Sequence, residues 1–382
     1  MDPSHGGPPA VALRLAAAQG RLGVTPSILA YDTVGNQSAL RQLLDAIPGS
    51  ASVAVQLLPS DGWSERVLAT RAYRGVAGTN PRPGFIHLHG VWDPVLRAAS
   101  RFAVRAGIPY AVTLHGMLDP WCLGATTLKR MKKQLALALV YRRVLNGAAF
   151  LHVLNRDERD LMAPLGLRPP TEVVPNGVFI EEFANLPPRD RFAATRPALA
   201  GKPYLLFLSR LHHKKGLDLL AQGFGQVAGE FPDLQLVVAG PDDGALGPLQ
   251  AQVRTLGLER RVHVVGPLYG PDKLAALVGA DVFCLTSRQE GFSMAVTEAM
   301  ASRVPVLISD QCHFPEVEEA KAGRIVGLNP GAIAEGLRVM MANEKERRAM
   351  GEAGRVLVEA RYTWPAIAAA LVEAYRRHER LN

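Results

Sequence analysis

Two glutamates eight residues apart, Glu290 and Glu298, bracket the stretch Gly291-Phe292-Ser293-Met294-Ala295-Val296-Thr297. The run before them, Val282-Phe-Cys-Leu-Thr, is short, apolar and rich in β-formers, and predicts a buried strand ending at Ser287. Ser293 suits an N-cap, and Met294 to Ser302 carries good helix formers with apolar residues at helical spacing. Glu290 then sits on the loop at the carboxyl end of a strand, where open α/β sheets bind ligands. Glu298 falls just over a turn into the helix, near the same crevice. Gly291 lets backbone approach closely, and the first helical N–H groups offer an anion site. Carboxylates for hydroxyls beside a cradle for phosphate suit a molecule that carries both, and a nucleotide sugar is such a molecule.

Breaking the bond between a sugar and a diphosphate gathers negative charge on the departing oxygen, so fixed cations are needed there. Arg210 and Lys215 follow another apolar run, Tyr204 to Leu208, and precede a helical segment. An Arg supplies a fork for phosphate oxygens and a Lys a point charge. Lys214 is an ambiguous neighbour, and a basic turn in water is the competing explanation. His115 and His89 each end an apolar run before a glycine. Either suits a polar contact at a strand end, although a lone histidine is commonly a structural residue.

These groups require strands to carry them. Phe85-Ile-His-Leu-His and Tyr110-Ala-Val-Thr-Leu-His are short strands separated by a helix over Arg97 to Ala106, the rhythm of a parallel sheet. Ala10 to Gln19 is a helix opened by a Gly-Gly-Pro-Pro turn. Ala148 to Leu154 is another buried strand and Asp157 to Ala163 a short helix. Asn176-Gly177 predicts a turn in which Gly supplies a positive φ, more a hinge than a ligand contact. Residues 181–200, with Pro187, Pro188 and Pro197, read as a linker. Beyond it, strands at Tyr204–Leu208, Leu234–Gly240, Arg261–Val265, Val282–Leu285 and Val306–Ile308 alternate with helices, one of them Leu217–Val227. Asp242-Asp243 follows Ala239-Gly240-Pro241 as a polar strand-end loop that could border a nucleotide. Trp364 to Arg377 is amphipathic.

A chain of 382 residues suits two domains of similar size. No apolar run approaches the ~18 residues of a spanning helix, and the first residues lack a basic start before an apolar core. The three cysteines have no metal or redox spacing and fit a reducing compartment. A cytoplasmic protein is therefore expected, at most peripheral on the inner face of the plasma membrane. The net charge of +8 lies wholly in residues 1–180, which hold 19 Lys/Arg against 11 Asp/Glu. Its centre, Pro120 to Arg156, has seven basic residues and no acidic one. Leu135, Leu137, Leu139 and Val140 interleave with these charges, so 126–145 reads as a basic amphipathic helix. Either its apolar stripe packs on its own domain in the ordinary way, or its basic face meets anionic membrane or a lipid-diphosphate acceptor. Nucleic acid is not expected, since no aromatic-interleaved basic patch accompanies the charge.

The blocks Glu290-Gly-Phe-Ser…Glu298-Ala-Met-Ala…Pro305-Val, Gly6-Gly7-Pro8, Leu114-His115-Gly116, Pro175-Asn176-Gly177-Val178 and Ser209-Arg210-Leu211…Lys214-Lys215-Gly216 together resemble the retaining glycosyltransferases of family 4. Five landmarks in the family's order span nearly the whole chain. The resemblance implies an α/β protein of the GT-B fold, two Rossmann-like doubly wound domains facing across a cleft. Residues 1–180 would be the acceptor-side domain, 181–362 the nucleotide-sugar domain, and 363–382 a helix packing back towards the first. Relatives carry a complete strand before Gly6-Gly7; only Met1 to His5 precede it here, so the expectation is either a start codon set too late or a missing first strand.

By the same resemblance, Arg210 and Lys215 contact the donor diphosphate, Glu298 the ribose hydroxyls and Glu290 the hexose or its cationic anomeric carbon. Gly291, Phe292 and Ser293 continue the donor loop, and Gly6 and Gly7 approach the diphosphate or acceptor. His115, matched better than His89 by Thr113-Leu-His-Gly, joins Glu290, Arg210 and Lys215 as the catalytic set, brought together when the cleft closes on the donor. The implied activity is metal-independent transfer of a hexose from a UDP- or GDP-sugar, with no cofactor, to a saccharide or polyprenyl-diphosphate-linked acceptor in surface polysaccharide biosynthesis. A sugar-nucleotide epimerase of the same architecture, or a degenerate nucleotide-sugar-binding protein, are the rivals.

Overall fold

A computed structural model describes residues 7–32, 44–59, 65–124 and 127–379. The chain divides into two compact units, Met1–Asn176 with Trp364–Asn382, and Gly177–Thr363.

The first unit contains β1 (Ser27–Asp32), β2 (Ala54–Pro59), β3 (Ile86–His89), β4 (Tyr110–Thr113), β5 (Phe150–Val153) and β6 (Thr171–Val173). β3, β4, β5 and β6 form a parallel four-stranded sheet in that order, while β1 and β2 pair in parallel as a separate sheet. The β1–β2 pair and the helix Glu65–Ala77 are additions to the elements read from sequence. The first helix runs Gly7–Gly20, three residues earlier than expected, because Pro8 and Pro9 sit in a first turn whose N–H groups have no intrahelical partner in any case. Leu88, Val112, Leu151 and Val153 form the heart of this core. The last helix, Trp364–Glu379, is bound into the same unit. Tyr375 stacks on Phe85 at 4.5 Å, Gln19 donates to the Tyr375 hydroxyl at 3.0 Å, and Arg377 and His378 both donate to Glu172.

Between Thr127 and Asn146 the basic segment is helical, with a π-helical stretch at Leu137–Tyr141. Leu137, Tyr141 and Leu145 are buried against the core. Leu135 and Leu139, expected on the same stripe, face outward. No helix among the described residues is long and apolar enough to cross a membrane.

The second unit holds β7 (Tyr204–Leu208), β8 (Gln235–Ala239), β9 (Val262–Gly266), β10 (Val282–Leu285), β11 (Val306–Ser309) and β12 (Gly323–Val326) in one parallel sheet, ordered β12-β11-β10-β7-β8-β9. Its central strands are almost wholly apolar, as a sheet covered on both faces requires. Two expectations are corrected here. The proline-bearing stretch 181–200 is no free linker: Phe183, Phe192 and Leu199 are buried in this unit's core. Asn176-Gly177 forms no turn, and Gly177 is absent from the positive-φ glycines; instead Val178 bridges in parallel to Thr363 and donates its N–H to the Tyr362 carbonyl at 2.9 Å.

Candidate functional site

From β7 the chain winds outward through β8 to β9, then returns to the other side of β7 with β10. The strand order reverses at β7/β10, and ligands of open α/β sheets bind beyond the carboxyl ends of the strands at such a point. Two loops meet there. Gly216 stands where an added Cβ would lie 1.8 Å from the Thr286 carbonyl oxygen, and its φ is +64°, so only glycine allows the loop after β7 to pass this close to the loop after β10. The Thr286 hydroxyl donates to the Gly216 carbonyl at 2.9 Å, and the Arg288 N–H to the Lys214 carbonyl at 2.7 Å. The Arg288 guanidinium holds both carboxylate oxygens of Asp218, a bidentate pair that fixes the second loop against the helix Leu217–Val227, which follows the first.

This stitching brings together Lys215 and Glu290, 75 residues apart in sequence. Lys215 Nζ lies 2.5 Å from Glu290 Oε1, and the Ser287 hydroxyl donates to the same oxygen at 2.6 Å. Glu290 is only 7% exposed. Burial alone would raise its carboxyl; the Lys215 charge, with the hydrogen bonds from Lys215 and Ser287, overcomes this and holds it below the usual carboxylate range. Among the described residues Oε2 has no hydrogen-bond partner, which leaves an ionised oxygen for a ligand hydroxyl or a developing positive charge.

Ser293 caps the helix Met294–Ala301 by accepting the Val296 N–H, and so directs the chain away from Glu290. Glu298, on that helix, receives Lys273 Nζ at 2.8 Å on Oε1. Lys273, on the helix Gly270–Gly279, carries no motif and only the fold reveals it. Arg210 is half-buried and paired with Asp243, one of the two aspartates of the loop after β8. Phe292 turns its ring towards Phe314 and Tyr362, at 5.3 and 5.8 Å between centroids, and is partly buried against the core. Gly291 lies between these anchored neighbours on the same loop. Lys215, Glu290, Ser287 and the Ser293 cap are thus one connected assembly, with Glu298–Lys273 and Arg210–Asp243 as ion pairs on adjoining elements.

In the first unit His115 stands early in the loop after β4 with φ +52°, followed by Gly116 at +70°. Its Nε2 meets His89 Nδ1 at 3.1 Å, so the two histidines weighed as competitors are neighbours. The other His115 ring nitrogen has no partner among the described residues. Burial first, then the fields of His89 and His152, keep its pKa well below the ordinary imidazole range, so it is neutral.

Beside this pair runs a hydrogen-bond chain of fixed polarity. The Val174 carbonyl can only accept, so His152 Nε2 carries the proton and donates to it at 2.7 Å. His152 Nδ1 then accepts from the Thr113 hydroxyl at 2.8 Å, and Thr113 accepts from His87 Nε2 at 2.6 Å. His87 Nδ1 in turn accepts from the Tyr375 hydroxyl at 2.5 Å. Gly7 opens the first helix, and a Cβ there would meet nothing within 4 Å, so local packing does not demand glycine. Gly6 lies outside the described residues. Among the described residues no group of three or more His, Cys, Asp or Glu is placed to hold a metal.

With this geometry in hand, two family models match the chain: "Glycosyl transferase 4-like domain" over residues 6–177 and "Glycosyl transferases group 1" over residues 189–357. The chain belongs to the group 1 glycosyl transferases. Among curated relatives of this chain is the GDP-mannose-dependent monoacylated alpha-(1-6)-phosphatidylinositol monomannoside mannosyltransferase of Corynebacterium glutamicum. It is 31% identical over 219 residues, 54% of this chain and 56% of the relative. The phosphatidyl-myo-inositol mannosyltransferase of Mycobacterium tuberculosis is 31% identical over 215 residues, 53% of each chain. The chain thus spans about half the length of the curated relatives it matches. Among solved structures, sucrose-phosphate synthase from Thermosynechococcus elongatus superposes with a TM-score of 0.79 at 20% identity, covering 99% of this chain and 94% of that one. HepE of Anabaena, in complex with UDP and glucose, gives 0.78 at 17% identity, covering 99% and 98%. At such identities the likeness establishes the fold, which is GT-B.

Proposed function

We propose that this group 1 transferase moves a hexose from a UDP- or GDP-sugar, with retention and without a metal, to a saccharide or lipid-linked saccharide acceptor in surface polysaccharide biosynthesis. One observation carries the proposal. The ionised Glu290 carboxylate is clamped by Lys215 and Ser287 at the sheet's switch point, beside a capped helix that bears Glu298. Glu290 holds the hexose and steadies positive charge at its anomeric carbon, while Lys215 and Arg210 take the negative charge of the leaving diphosphate. Backbone N–H groups from Gly291 to Ser293 add donors to that anion, and Glu298 accepts from the ribose hydroxyls. His115, neutral and with one ring nitrogen that has no partner among the described residues, is the candidate for a further hydrogen bond to the donor. The bond from the anomeric carbon to the diphosphate oxygen breaks, and the acceptor oxygen bonds to the same face. The acceptor's proton passes to the departing diphosphate, so no protein base is required.

The mannosyltransferase relatives, by their names, support a GDP-mannose donor and a phosphatidylinositol-type lipid acceptor as the first pair to try. A lipid-borne acceptor also agrees with the helix beginning at Thr127. Met131, Leu135 and Leu139 recur every fourth residue at 62%, 60% and 73% exposure, with Lys132 and Arg143 exposed nearby. Apolar side chains outward among cations suit the interface of an anionic membrane, to which the protein binds peripherally.

The test is incubation with radiolabelled GDP-mannose and UDP-glucose, with and without a lipid extract. Label in an α-linked lipid or saccharide product supports the proposal. A β-linked product from an α-linked donor removes retention, donor converted without acceptor indicates an epimerase, and nucleotide binding without turnover indicates a degenerate binding protein.

A further inference from the structure

The His115-Gly116 loop holds two consecutive residues in the left-handed region, a conformation that a histidine keeps only when its surroundings fix it. One buried side chain supplies that fixation. Glu158, 8% exposed, accepts the Gly116 N–H on Oε1 at 2.5 Å and the Leu154 N–H on Oε2 at 2.6 Å. It stands at the third position of the helix Arg156–Met162, whose N-cap Asn155 accepts the Glu158 N–H at 2.7 Å. A capping-box glutamate returns its carboxylate to the N–H of its own cap. Here the carboxylate reaches outward, joining the chain after β5 to the chain after β4. We propose that Glu158 is a positioning residue for His115, and that only its ionised form holds the loop in the conformation used for transfer.

The chemistry follows from the two acceptors. An ionised carboxylate receives both amides; a protonated one turns one oxygen into a donor and leaves one amide facing an O–H. Loss of the Gly116 bond releases the left-handed pair. Burial, the largest influence, pushes the Glu158 carboxyl up to about 7; the Leu154 and Gly116 N–H groups oppose it and Asp119 adds to it. Asp119, from the loop after β4, acts on it directly; the other titratable and charged groups on the elements packed against it are His115 of that loop, His152 of β5 and Glu172 of β6, with Arg156, Asp157, Arg159 and Asp160 on its own helix. Loop geometry therefore responds to pH near neutrality, while the neighbouring imidazoles titrate far below it.

This inference rests on the assignment of His115 to the transfer reaction, and its test separates the two. Labelling histidine at the carbonyl carbon and glycine at nitrogen selects the three His-Gly pairs of the chain, His5-Gly6, His89-Gly90 and His115-Gly116. In the wild-type protein the Gly116 amide should resonate far downfield and shift with an apparent pKa near 7; an amide that does not titrate overturns the clamp without any variant having to fold. In Glu158→Gln, which keeps the shape and loses one acceptor, the titration should vanish. Its kcat should fall about 10- to 100-fold with donor KM little changed, and its kcat should no longer drop on the acid side. An amide that titrates together with unchanged kcat and pH profile in Glu158→Gln overturns the positioning role and leaves the Glu290 donor site untouched. Absence of turnover in the wild type overturns the functional assignment, and the positioning role with it, while the amide titration still decides whether the clamp exists.

Discussion

Lys215 Nζ and Glu290 Oε1 lie 2.5 Å apart with both side chains largely buried, 13% and 7% exposed. A carboxylate taken this far from water stays ionised because the ammonium stays with it. The pair joins the loop after β7 to the loop after β10, so the same contact supports the fold and prepares the site.

Removing one partner should therefore have two effects. Lys215→Met strands the Glu290 charge and should cost about 3–5 kcal/mol of stability at pH 8. Without its cation the Glu290 carboxyl rises, takes a proton in mild acid and sheds the penalty, so the deficit relative to wild type should shrink at pH 5. Urea unfolding at the two pH values measures it; a deficit that grows in acid contradicts the assignment. Glu290→Gln keeps the volume and should lower kcat about 10²- to 10³-fold with a smaller change in stability.

Glu298→Ala should weaken nucleotide binding and leave kcat at saturating donor nearly intact. A hydrogen bond to a charged group is worth about 1.5–3 kcal/mol, so donor KM should rise on the order of 10- to 100-fold. Thermal stability against UDP, GDP and their sugars gives the same answer without turnover and names the base, since ligand that binds only the folded protein raises the melting temperature. An equal shift in variant and wild type would remove Glu298 from the site.

Gly216→Ala should destabilise the second unit severely, because the new methyl meets the Thr286 carbonyl at 1.8 Å with φ at +64°. Gly225, inside the helix Leu217–Val227, would place a methyl in ordinary contact with Leu258 and Leu256 at 3.5 and 3.6 Å, and Gly225→Ala should stabilise by up to ~1 kcal/mol. Melting temperatures of the two variants must move in opposite directions.

The first unit should weaken in acid. His152 and His89 stay neutral down to about pH 4 and pH 3 because burial opposes their charge, and His87 and His115 are lowered too. In the unfolded chain a histidine titrates near ~6.5. Between those values the unfolded state binds more protons than the folded one, so stability is full above about pH 6.5 and falls as pH drops. Glu158, raised to about 7, acts the other way: its contribution is present in acid and is lost as pH rises to 7. Four lowered imidazoles outweigh one raised carboxyl, and each unit of pKa is worth about 1.4 kcal/mol. The urea midpoint of the first unit should be lower at pH 5 than at pH 7.5; a flat or inverted dependence would show that the imidazoles are not held neutral.

Leu135 and Leu139 are outside and Leu137 inside, which separates membrane binding from folding. Leu139→Asp should reduce co-sedimentation with vesicles containing anionic lipid at least about tenfold, the value of one inserted leucine, with the melting temperature unchanged. Leu137→Asp should lower the melting temperature. Vesicle binding indifferent to Leu139→Asp would leave the exposed stripe without this partner.

The order of motifs along the chain determined the family and the GT-B fold, because apolar runs, strand-end glycines and the Ser293 cap are local signals that one dimension preserves. β7 and the helix Leu217–Val227 were legible to the residue and β10 to its first residue, since a strand buried on both faces is a near-continuous apolar run. Burial on one side only hid β1 and β2, and three prolines disguised 181–200, whose Phe183, Phe192 and Leu199 pack in a core. The sequence named Glu290, Glu298, Arg210, Lys215 and His115, but spacing does not say which charges meet. Tertiary structure decided that Lys215 rather than Lys214 pairs with Glu290, that Lys273 holds Glu298, and that Glu158 grips Gly116. It also decided which leucines of the basic helix face out: residues two apart point to opposite faces, and the core took the face of Leu137, Tyr141 and Leu145 rather than that of Leu135 and Leu139. Pairing across 25 to 75 residues depends on which strands lie side by side, and the strand-order reversal at β7/β10 exists only once the sheet has formed.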